Sequence, residues 1–127
     1  MKISGVKGVV AGIVLAVSLP ALPHHSFAAF DLKSTVSIEG TLTEVKFANP
    51  HSWFEVEVKS ADGKTVLWGV EGLSAAQFVK KGLKRTQMKP GDHVEVVLNP
   101  MRSGDPGGSL VSVKLADGSI VTGGPGQ

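Results

Sequence analysis

The sequence contains no cysteine and no tyrosine, and aromatic residues fill only 6% of its 127 positions. Without thiols, neither a disulfide framework nor a cysteine-ligated metal centre can form. Excess charge of one sign is also lacking. Thirteen Lys and Arg stand against eleven Asp and Glu, a formal net charge of +2. Two of those cations, Lys2 and Lys7, fall in a leader-like segment, and the remaining eleven balance the eleven carboxylates. A near-neutral chain points away from nucleic acid as a partner, because nucleic-acid binders normally carry a clear cationic excess. The length allows one domain.

The strongly apolar run Val9–Val17 has nine residues, well short of the roughly 20 that a membrane-spanning helix needs. Preceded by Lys2 and Lys7 and followed by Ser18-Leu-Pro-Ala21, it has the layout of a secretory signal peptide over residues 1–21. Cleavage is expected after Ala21. Ser26-Phe27-Ala28 is a second small-x-small site, so the cut falls between residues 21 and 28. The expected destination is the periplasm or the exterior, with no stable membrane span after cleavage. Residues 22–33 then form an N-terminal extension, residues 34–122 the folded domain, and Gly-rich residues 123–127 a disordered tail.

Within the domain, short apolar alternations separated by Gly, Pro, Asn and Asp predict a mainly β fold. Val36, Ile38 and Leu42 share one face of a first long strand. The apolar phase then flips to Val45 and Phe47, which predicts a bulge enabled by Gly40. Phe54, Val56 and Val58 face one way on the second strand, and Trp53, Glu55 and Glu57 the other. Ala61-Asp-Gly63 turns the chain into a third strand with Val66, Trp68 and Val70 on one face. Ser74 caps a helix over Ala75–Lys81 that is anchored by Phe78 and stopped by Gly82. After the turn Lys89-Pro-Gly-Asp92 come a fourth strand with Val94, Val96 and Leu98, a long loop over residues 99–109, and a fifth strand with Val111, Val113 and Leu115. Three meandering strands, a short helix between strands three and four, and two further strands predict a small five-stranded OB-like barrel. An open sandwich is the alternative.

Four histidines, His24, His25, His51 and His93, are the side chains suited to metal binding and to acid–base work near neutral pH. His51 lies in the loop after the first strand, part of the usual ligand-binding rim of such barrels. With His24 and His25 folded across that rim, the three imidazoles would suit copper or zinc. No local spacing fixes such a site. A copper site built on the chain terminus fails on Pro23, which resists leader cleavage and has no amide N–H to deprotonate. Asn49, His51 and Trp53 form the candidate ligand-binding rim, because Trp53 shares a face with Glu55 and Glu57. An indole flanked by carboxylates suits a sugar or a cation. Glu55 and Glu57 stand about 7 Å apart on one strand face, with neither a deep cleft nor an orienting second group to make a glycosidase pair. The basic run Lys80, Lys81, Lys84, Arg85 and Lys89 reads as a solvated surface.

His24-His-Ser-Phe27, Phe30-Asp31, Gly40, Asn49-Pro-His51, Trp68, Glu71-Gly72, Lys89-Pro-Gly-Asp92, Pro100 and Asp117-Gly118 occur in an order that carries a resemblance. The chain resembles a family of small exported bacterial proteins of unknown function, similar to OB-like β-barrels. The resemblance spans residues 24 to about 122 and implies that His24 to Phe27 belong to the mature chain. Pro23 stands where such proteins often have a small residue suited to cleavage. No activity, cofactor or catalytic residue comes with the family. The expectation is an exported, non-enzymatic binding module for a small molecule, an oligosaccharide or an envelope protein. The alternative is a copper- or zinc-binding or delivery protein using His24, His25 and His51.

Overall fold

A computed structural model describes residues 27–123. The expected leader, His24 and His25, and the tail after Gly123 lie outside the described residues. In chain order the elements are β1 (Val36–Lys46), β2 (Trp53–Lys59), β3 (Thr65–Glu71), α1 (Ala75–Lys80), β4 (His93–Pro100), β5 (Gly107–Lys114) and β6 (Ile120–Thr122). The sheet order is β3-β2-β1-β4-β5-β6, and a further β3–β5 pairing closes the first five strands on themselves. That closing pair is parallel, whereas its neighbours are antiparallel. The result is the mainly β, five-stranded OB-like barrel expected from the sequence, with its short helix between strands three and four. The sandwich alternative is excluded by the closure.

Period-two alternation puts Leu42, Phe54, Val56, Val70, Val94, Val96, Leu98 and Val113 inside, each almost wholly buried. Each such side chain contributes about 1.5–3 kcal/mol on burial. Ser74 caps α1 as expected. Its Oγ accepts from the Gln77 amide at 3.2 Å, and Gln77 Oε1 accepts from the Ser74 amide at 3.1 Å. Phe78 then packs edge-to-face on Phe54 and Phe47, with ring centroids 5.8 and 6.1 Å away, so α1 closes one end of the barrel. The Lys89–Asp92 turn is clamped to β1, because the Gly91 amide donates to Leu42 O and the Leu42 amide donates to Asp92 O. The Lys89 ammonium, 3.0 Å from Asp92, holds that carboxyl below the usual aspartate range.

The hairpin between β2 and β3 fixes the register that matters below. Gly63, at φ +81°, supplies the left-handed residue of the turn. Ser60 and Lys64 close it with a 2.7 Å bond from the Ser60 amide to Lys64 O. Counting back from that bond sets Trp53 opposite Glu71 and Glu55 opposite Gly69.

Three local readings are corrected. The bulge in β1 falls between Leu42 and Glu44, at Thr43, and not at Gly40. Gly40 serves close approach instead, since a Cβ there would lie 2.1 Å from Glu57 O. The expected long loop over residues 99–109 is also shorter, because β4 runs to Pro100 and β5 begins at Gly107. A second bulge between Val97 and Leu98 then pairs Leu98 with Leu110, and the expected inward residue Val111 yields its place to the buried Leu110. The cause is steric. Gly108 pairs with Pro100 and Val70, and a Cβ on it would sit 2.1 Å from Asn99 O and 2.7 Å from Leu98 Cδ1. Only glycine lets β5 run between β4 and β3 this early.

Gly108→Ala is therefore expected to destabilise the protein by about 2–3 kcal/mol, the upper part of the range for overpacking a tight site. Urea unfolding would show a lower midpoint at an unchanged m-value. An unchanged midpoint would show that closure does not depend on the missing side chain.

Candidate ligand-binding cleft

The residues of β2 and β3 that alternate with the buried ones face outward. On β2 these are Trp53, Glu55 and Glu57; on β3, Leu67, Gly69 and Glu71. Trp53 and Leu67 remain 40% and 48% exposed, large apolar surfaces left in the open. The indole lies against β3 at Gly69, where a Cβ would fall 2.4 Å from ring atom Cζ2. The missing side chain at residue 69 thus makes a seat for the ring of Trp53.

A second wall comes from the β4–β5 loop and the segment before β1. Phe30 forms an isolated bridge with Met101 and is buried. The Asp31 amide donates to Pro100 O, and the Arg102 amide to Ala29 O, both at 2.9 Å. Arg102 Nε adds a 3.1 Å bond to Ala28 O. Between this wall and the outer face of β2–β3 lies a cleft of about 420 Å³. Phe30, Trp53, Leu67 and Met101 give it apolar surface, and Glu55, Glu71, Asp105 and His51 give it polar groups. The volume is that of a small-molecule site.

His51 and Trp53, two of the three expected rim residues, line this cleft together with part of the β4–β5 loop. Asn49 does not. Its Oδ1 accepts from the Ala76 amide at 3.5 Å, beside a 2.9 Å bond from the Ala75 amide to Ala48 O, so it serves the start of α1. The cleft also lies on the outer wall of the barrel rather than in its mouth, one end of which α1 fills. His51 Nδ1 is 3.5 Å from Glu71 Oε1. Among the described residues no group of three potential ligands could hold a metal ion. His24 and His25, the other two expected ligands, lie outside the described residues. His93 is elsewhere, 2.8 Å from Glu39 on β1. Of the basic run, Arg85 packs over the Phe47 ring at 5.8 Å and Lys89 pairs with Asp92.

Glu71, Gly69 and Leu67 escape a reading of single strands. The signal was present in the hairpin register, which carries the outward set of β2 across to β3. Phe30 and Met101 had no such signal, because their meeting depends on the tertiary path of the segment before β1.

Barrel and cleft together define a small OB-like β protein with an external pocket. A family model matches residues 11–110, most of the chain, and the chain belongs to that family, DUF6152, a family of unknown function. No curated protein matches it. A solved structure similar to it is a mitochondrial single-stranded DNA-binding protein from S. cerevisiae, at 18% identity and TM-score 0.43, covering 65% of this chain and 92% of that one. That neighbour corrects one expectation: the near-neutral charge does not exclude a nucleic-acid partner. Net charge sums over a whole surface, whereas strand binding depends on a local groove and its stacking aromatics. At this TM-score the likeness says nothing of what this chain binds.

Gly69→Ala is expected to lift the indole from its seat. In a Trp68→Phe background, Trp53 fluorescence should shift to longer wavelength and become more open to acrylamide quenching. An unchanged spectrum would mean that the ring does not depend on that seat.

Proposed function

We propose that this protein is an exported, non-enzymatic binding module that takes a small molecule in the cleft between the outer face of β2–β3 and the β4–β5 loop. The observation that carries the reading is the cleft of about 420 Å³, in which exposed Trp53 and Leu67 face Phe30 and Met101 beside a few polar groups. Concave sites with apolar walls and sparse, convergent polar groups are the usual form of small-molecule pockets. Export rests on the pattern of residues 1–21. The mass of the protein recovered from the periplasm of expressing cells should place the cut between residues 21 and 28. A full-length product kept in the cytoplasm would remove the export reading.

A second reading, copper or zinc binding, is favoured by one observation: the 3.5 Å approach of His51 to Glu71 puts two ligating side chains together at the cleft. His24 and His25 would have to complete such a site.

One set of NMR titrations separates these readings. With 2-phenylethanol or maltotriose as the probe, the small-molecule reading expects shifts at Trp53, Leu67 and Met101, and binding weakened at least about tenfold by Trp53→Ala, as for a central aromatic anchor. With zinc or copper, the metal reading expects stoichiometric binding that His51→Ala removes. Shifts at the cleft produced only by a single-stranded oligothymidine would overturn both.

A further inference from the structure

Resting on the small-molecule reading above, we infer that the occupant of the cleft is an organic cation: an ammonium group on an apolar body, with its charge seated between Trp53 and Glu71. The electrostatics of the lining point one way. Glu55, Glu71 and Asp105 contribute carboxylates, and among the described residues no Lys or Arg side chain lines the cleft. The neighbouring cation on the same outer face, Lys46, stands opposite Trp53 in the ladder and is held by Glu44 at 2.9 Å.

Glu71 is the telling residue. Its side chain is only 12% exposed, whereas Glu39, Glu44 and Glu95 are 66%, 40% and 54% exposed. Those three open carboxylates are each paired at 2.8–2.9 Å. Glu71, the most withdrawn from water, has His51 Nδ1 at 3.5 Å, well beyond the roughly 2.7–2.9 Å of a charge-assisted bond. The compensation in this set runs opposite to the need, because a carboxylate removed from water costs most when no partner meets it. Across the parallel ladder from Glu71 stands Ser109, fully buried, whose Oγ has no hydrogen-bond partner among the described residues. Ser109 does not itself line the cleft, so the under-compensated polar group there is Glu71.

A cation answers the Glu71 deficit, and the indole tells which kind. Trp53 rests against Gly69 and lines the cleft while 40% exposed, so its π system is within reach of an occupant. A desolvated ammonium over a Trp face gains about 2 kcal/mol or more. A bare metal ion would leave Leu67, Phe30 and Met101 without contact; an organic cation uses them for its apolar body. The cleft's size favours a free molecule over a lysine side chain presented on a protein surface, which would fill only part of it.

Three probes with one aromatic body and different charge test this: phenethylamine, 2-phenylethanol and 3-phenylpropanoate, titrated by NMR into the whole protein. The amine should bind at least about tenfold more tightly than the alcohol, an advantage in keeping with one partly buried charge pair, and the carboxylate should bind worst. Glu71→Gln, an isosteric change, should erase the amine's advantage over the alcohol. Glu39→Gln, on β1 away from the cleft, should leave the order intact, and unfolding curves of both variants would show that the fold is kept. Should the alcohol bind at the cleft as tightly as the amine, the cation inference falls and the small-molecule reading stands. Failure of all three probes to shift any cleft residue overturns both. A lysine-containing peptide binding in preference to the free amine would overturn the choice of a small molecule.

Discussion

The architecture depends on a contact in which backbone meets backbone with nothing between. Where β5 slips between β3 and β4, Gly69 pairs with Gly107, and Gly108 lies against Asn99 and Leu98. A barrel of five strands must bring its first and last members together at a steep angle, and side chains at the crossing would hold them apart. With them absent, the ladder closes and the interior seals around Phe54, Leu98 and Val113. The same bareness on the outer surface of β3 receives the Trp53 ring. One steric requirement therefore serves both the closure of the fold and the shape of the pocket on its wall.

The pocket is a composite of two distant pieces of chain. One wall is a hairpin, held by ladder bonds and by the Ala61–Gly63 turn. The other is a loop strapped to residues 28–31 by main-chain bonds and by Arg102. Few of these bonds need a particular side chain, so the wall's position is set by backbone path while its chemistry is set by Phe30, Met101 and Asp105. The polar groups are correspondingly few, and Glu71 stands out among them for being both withdrawn and poorly partnered.

The legible parts of the sequence were those governed by local rules. Ser74 with Gln77, the Asp62-Gly63 turn, the Lys89–Asp92 turn and the inward faces of β2 and β4 all follow from spacing over a few residues, and they give the order of elements that implies a barrel. The illegible parts were those decided across strands. A flip of apolar phase marks a bulge without saying which residue bulges, so Gly40 drew attention that belonged to Thr43. Gly107 and Gly108 look like loop residues by composition and are strand residues by pairing, because a glycine admitted for close packing and one admitted for turning are the same letter. In the site, His51 and Trp53 were reachable from strand phase, and Glu71 only from hairpin register. Asn49 was misplaced because its amide found a helix terminus in preference to the cleft.

The β3–β5 seam joins Gly69 to Gly107 across a stretch of chain that includes α1 and β4. Such distant pairings pay the loop-closure entropy before they are rewarded, and so tend to form late. The two walls of the cleft meet at that seam, where Gly69 and Gly107 both line it, so the site is complete only in the closed barrel. Anything held there binds the finished molecule alone and shifts the folding balance by mass action. An occupant of the cleft would thus favour the closed barrel over the open chain.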